Sequence, residues 1–136
     1  MLDVSPRDPE KDYLTTYLNE IKRYQARINQ VPEQSKVQRI ELKSKQLFFV
    51  GELAAEFARQ YKMIYAARKQ TYSEAYLKAE KYKKETAELA ITSLREMEAE
   101  YYGYWKRWQN AVDTLKEDIN AIKYRVRQDI ADGNRQ

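Results

Sequence analysis

Lys81-Tyr82-Lys83-Lys84-Glu85-Thr86 (KYKKET, residues 81–86) is the stretch whose reading decides the fold. It holds neither Gly nor Pro, yet the apolar pattern before it stops there and a new one begins beyond it. Thr86 suits the cap of a new helix, because its hydroxyl can accept from a backbone N–H that the first turn leaves open. Read as a break, the stretch folds the chain into a hairpin. Read as continuous, it leaves one helix of about a hundred residues.

The flanks favour the hairpin. Upstream, a helix over 33–81 carries Val37, Ile40, Ser44, Leu47, Val50, Ala54, Phe57, Tyr61, Ile64, Arg68, Thr71, Ala75 and Ala79 at spacings that alternate between 3 and 4. A sustained 3.5-residue period marks a supercoiled helix pair. Ser44 and Arg68 interrupt that seam, and polar seam residues often specify register or subunit number. Downstream, a helix over 87–131 carries Leu94, Met97, Tyr101, Tyr104, Trp108 and Ala111, then Leu115, Ile119, Ile122 and Val126. Each helix is about 45 residues, or roughly 68 Å at 1.5 Å per residue. Equal length about a central break is what an antiparallel hairpin requires. Gly133 suits a left-handed cap and leaves 132–136 as a tail.

Further out, Val31-Pro32 ends a shorter helix, since the residue before Pro is pushed out of the helical region. That helix spans 9–30, opens on Asp8-Pro9-Glu10 and carries the stripe Leu14, Tyr17, Ile21, Tyr24 and Ile28. Residues 1–8 form a lead-in. Gly51 and Gly103 lie inside helices, where they allow a close helix contact or a slight bend. The expected fold is all-α: a long antiparallel helical hairpin of coiled-coil type with a shorter N-terminal helix, in one domain, oligomeric because a hairpin buries only a seam.

Composition narrows the chemistry. The 136 residues include no His and no Cys. That removes Ser-His and Cys-His catalysis, thiolate metal sites and the commonest general base. Glu96, Glu98 and Glu100 alternate, so they spread round a helix rather than converge on a metal. The expectation is a protein without catalytic residues, metal or cofactor, and without a small-molecule substrate. No apolar run nears the ~20 residues of a membrane span. The N-terminus does not read as a secretion signal. An amphipathic membrane-surface role fits poorly, because the seam uses the apolar stripe. The expected location is the cytoplasm, or a host's cytoplasm for a viral protein.

The net charge of +4 is concentrated. From Arg59 to Lys84 there are eight basic residues against Glu74 and Glu80. Tyr65, Lys69, Tyr72, Tyr76 and Lys83 recur at spacings near helical. Basic groups attract phosphates and adjacent rings stack on unpaired bases, a combination that suits single-stranded nucleic acid. The expected phosphate contacts are Arg68, Lys69, Lys78, Lys81, Lys83 and Lys84, with Tyr65, Tyr72 and Tyr76 as stacking platforms. The alternative is that the hairpin brings this segment beside Glu85, Glu88, Glu96, Glu98 and Glu100, so that much of the charge pairs internally and sets the register. Tyr61, Tyr101 and Trp108 read as seam residues. Tyr102 and Trp105 point partly outward and read as a protein-partner surface.

A basic, Tyr-rich middle, an acidic stretch, a Tyr/Trp cluster and a closing amphipathic run (Ile119-Asn120-Ala121-Ile122-Lys123-Tyr124-Arg125) follow one another. In this order the chain resembles the UvsY-type recombination mediators of tailed phages. The likeness covers roughly residues 60 to 130 and rests on pattern, without a signature motif. It implies an oligomeric helical protein that binds single-stranded DNA and helps load a recombinase, with Tyr61 to Lys84 as the matching positions. The competing expectation is a coiled-coil interaction module that docks on or inhibits a host or phage protein.

Overall fold

The computed structural model describes residues 6–134. The start of the expected lead-in, residues 1–5, and the last two tail residues lie outside the described residues. Four helices follow one another: α1 (Tyr13–Gln30), α2 (Lys36–Lys78), α3 (Lys83–Ala90) and α4 (Thr92–Asn134). Among the described residues there is no strand, and the fold is all-α. No helix there is long and apolar enough to cross a membrane.

Helix α1 begins at Asp12 rather than at Pro9. The Asp12 carboxylate accepts from the Thr15 N–H at 3.1 Å and from the Thr15 hydroxyl at 2.7 Å. These bonds hold the carboxyl below its usual range. Asp8 instead closes a turn, its side chain accepting from the Glu10 N–H at 2.9 Å. Short Asp side chains stabilise such turns as readily as helix starts. Val31, extended before Pro32, ends α1 as expected.

Helices α2 and α4, 43 residues each, run antiparallel for about 64 Å. Lys36 meets Asp129 at 2.6 Å near the open end, Lys43 pairs with Asp118, Val50 packs with Val112, and Phe57 faces Tyr101 and Tyr104. Arg68 pairs with Glu98 towards the tip. The reversal comes earlier than expected, at Ala79–Tyr82, and Thr86 lies within α3. Tyr82 takes a left-handed conformation, φ 50°. Lys83, on α3, donates to the Ala79 carbonyl at 2.7 Å and the Tyr76 carbonyl at 3.4 Å. It thereby satisfies acceptors that the end of α2 leaves open. The third long helix is itself broken at Ile91. The Thr92 hydroxyl donates back to the Leu89 carbonyl at 3.1 Å, and α4 starts afresh. Ala87 and Ile91 are fully buried where α3 packs on α2.

Helix α1 lies along α2, also antiparallel. Ile28 packs with Leu42, Tyr24 stacks on Phe49 with ring centroids 5.9 Å apart, and Arg7 pairs with the buried Glu56. The buried Gln46 amide donates to the Ile21 carbonyl at 3.1 Å and to the Gln25 side chain at 3.0 Å. Helix α2 therefore buries two faces, one on α4 and one on α1. Full burial of a side chain such as Ile28 or Leu53 is worth about 1.5–3 kcal/mol.

Several expectations are corrected. Ser44 is exposed and does not interrupt the seam; the buried polar residue nearby is Gln46, on the face of α2 that meets α1. Val37 is largely exposed, so it takes no part in the apolar seam, and the open end is joined by the Lys36–Asp129 pair instead. A Cβ built on Gly51 or Gly103 meets nothing within 4 Å, so neither permits a close helix approach. Gly133 is not left-handed, and α4 continues past it to Asn134.

Candidate nucleic-acid interface

Tyr65, Arg68, Lys69, Tyr72 and Tyr76 occupy one face of α2, because steps of 3 and 4 residues return to the same side of a helix. Tyr65 and Tyr76 are exposed and Tyr72 is half-buried. The Tyr65 ring has the Lys69 ammonium 4.8 Å from its centroid and the Arg68 guanidinium at 5.2 Å. Tyr72 and Tyr76 stack with their planes 22° apart and centroids 6.3 Å apart. Lys83, reaching back from α3, stands 5.6 Å over the Tyr76 ring. Rings and cations thus alternate along the tip half of the hairpin.

The expected pairing with the acidic stretch is confined to one place. Arg68 binds Glu98 across the seam. Among the described residues no other ion pair joins the basic segment to residues 85–100. Lys69, Lys78, Lys81 and Lys84 are exposed and have no carboxylate within ion-pair distance there. Lys78, however, lies roughly 130° round α2 from the ring-bearing face. Lys81 and Lys84 sit at the reversal, and no contact ties them to the rings.

Two residues of the stretch expected beside the basic segment border this surface. Arg95 of α4 and Glu88 of α3 join Arg68, Lys69, Tyr72 and Ser73 round a groove of about 340 Å³. Arg68 is already matched by Glu98, so Lys69 and Arg95 against Glu88 leave the groove with a small positive excess. The hairpin reading puts Arg95 beside the basic segment, but only the register between α2 and α4 shows that it borders the ring-bearing face. The Tyr102 and Trp105 pair is partly as expected: Tyr102 is exposed, whereas Trp105 is half-buried against Tyr61. Tyr101 and Tyr104 pack on Phe57 along the seam, and the Tyr104 hydroxyl donates to Glu100, which raises the Tyr104 pKa.

A groove lined by guanidinium, ammonium and tyrosine rings can neutralise phosphates and stack flat groups. Comparison of the chain with protein-family models, with curated proteins and with solved structures finds no match.

Proposed function

We propose that this protein is a non-enzymatic accessory factor of phage-type DNA recombination or replication. It binds single-stranded DNA and assists a recombinase, acting as a homo-oligomer in the cytoplasm of the cell, a host cell if the protein is viral. The observation that carries the DNA reading is the alternation along Tyr65–Lys83 of accessible rings with ammonium groups that no carboxylate neutralises. Phosphates would lie on Lys69, Lys83 and the free edge of Arg68, with Lys81 and Lys84 at the tip. Bases would stack on Tyr65, Tyr72 and Tyr76. The recombinase partner rests on the sequence resemblance.

Fluorescence anisotropy of a labelled dT oligomer, titrated with the full chain at low salt, tests this. Binding should tighten as salt falls, with a log–log slope of about −0.7 for each phosphate contacted. Mixed-sequence single strands should compete about equally, because stacking and charge carry little sequence information. No binding at low salt rejects the proposal.

One observation favours a protein partner instead. Leu89 is 78% exposed, in a groove it shares with Glu85, Glu88, Glu96, Thr92 and Arg95. An apolar side chain among three carboxylates and one arginine suits a basic, amphipathic segment. A captured protein whose binding is lost in Leu89→Glu, in a chain that ignores dT, would establish that reading.

A further inference from the structure

Tyr61 joins two surfaces that lie far apart in sequence. Its ring centroid is 5.5 Å from that of Tyr102 and 5.7 Å from that of Trp105, both on α4. Tyr65 follows Tyr61 one turn along α2. Glu98, which holds Arg68 across the seam, stands one turn from Tyr102 on α4. The rings of α4 therefore continue the row formed by Tyr65, Tyr72 and Tyr76. From Tyr61 to Tyr76 that row covers about 22 Å of helix.

The α4 end repeats the pattern seen at the tip. The Lys106 ammonium lies 4.4 Å from the Trp105 centroid and 5.4 Å from the Tyr102 centroid. Along this row the pattern occurs three times, at Tyr65 with Lys69, Tyr76 with Lys83, and the Tyr102–Trp105 pair with Lys106; Lys11 over Tyr13 repeats it away from the row. An ammonium over an exposed ring is only weakly attracted to it. At Tyr65 and at the Tyr102–Trp105 pair a base can displace it from the ring face, and the released ammonium then lies within a side-chain length of that base's phosphate, while Lys83 keeps its charge beside Tyr76 from its place on the Ala79 and Tyr76 carbonyls. A flat group and an anion that arrive together use both halves of such a pair, whereas an apolar protein surface uses the ring alone.

We infer that the strand bound at the tip continues along the groove onto α4. Tyr102 and Trp105 hold further bases there, and Arg95 and Lys106 hold further phosphates. This rests on the reading of the tip as a single-strand site. It moves Tyr102 and Trp105 from a protein-partner surface to the nucleic-acid surface.

Tryptophan fluorescence of the full chain reports on this half of the groove, while the anisotropy of labelled dT reports binding anywhere. On addition of dT, the emission should be quenched in step with the anisotropy. Trp105→Phe keeps a ring but should lose the quenching, which assigns the signal to Trp105 rather than to Trp108. Tyr102→Ala, an exposed position, should weaken dT affinity about tenfold, and Lys106→Ala about threefold, with unchanged circular dichroism. If dT binds while the tryptophan stays silent and both variants bind as the parent does, the α4 extension is wrong and the tip reading stands. If no anisotropy change occurs at all, both are wrong.

Discussion

Arg68 serves the fold and the surface together. It lies in the seam, binds Glu98 and edges the Tyr65 ring. The two side chains are only 21% and 17% exposed, so removing either leaves a mostly buried charge without its partner. Arg68→Ala should lower stability by about 2 kcal/mol in urea unfolding, and the Arg68→Met, Glu98→Met double variant should recover most of it. At Asp12 the prediction is one of pH. Its folded pKa is lowered from 3.8 by the bonds to Thr15, so its capping contribution is present above that value and is lost as pH falls through the lowered one. The Thr15 amide proton shift should titrate with a midpoint below 3.8 in an NMR series. Lys69 and Lys78 separate face from mere charge: Lys69→Glu should weaken dT binding several-fold more than Lys78→Glu, which reverses a charge on another side of α2. The i to i+4 spacing made the Tyr65–Lys69 pair readable in sequence. The Tyr61–Tyr102 contact was not, because it depends on the register between two helices.

At the scale of the element, α2 shows where periodicity misleads. The stripe from Leu47 to Arg68 was readable as a seam. A second buried set, Leu42, Gln46, Leu53 and Glu56, was not, because Gln and Glu within it break the apolar pattern. They are tolerated because Gln46 bonds α1 and Glu56 meets Arg7 and Arg59. The sequence pattern puts the reversal a few residues late for a related reason. The cap at the start of α3 is not a Thr hydroxyl but Tyr82 in a left-handed conformation, which no sequence rule favours for Tyr. Since Tyr82 is 77% exposed, Tyr82→Gly should relieve that backbone without loss of packing. A gain of about 0.5–1 kcal/mol in thermal or urea unfolding is expected. Gly51→Ala and Gly103→Ala should each stabilise by a similar amount, because open space awaits the methyl group and glycine is a poor helix former.

At the scale of the whole molecule, the hairpin was legible because two long stripes of equal length flank one break. The placement of α1 along α2 alone was only partly so, since an amphipathic helix declares that it packs but not on which neighbour. The antiparallel arrangement has a direct check, helped by the absence of native cysteine. Lys43→Cys with Asp118→Cys should join through a short thiol cross-linker within one chain, at monomer mass. Parallel continuous helices would give cross-linked dimers or none. Helix α1 and the turn before it run beside α2 from Arg39 to Glu56, which leaves the shaft three rods thick at its open half and two thick beyond. Such a body behaves as a beam clamped at one end. Bending and transient opening should grow with distance from the clamp, and amide exchange should quicken from Val50 toward Lys78. The compliant half is also the one that carries the rings and cations, so it can follow the uneven contour of an unpaired strand while the thick half holds its shape.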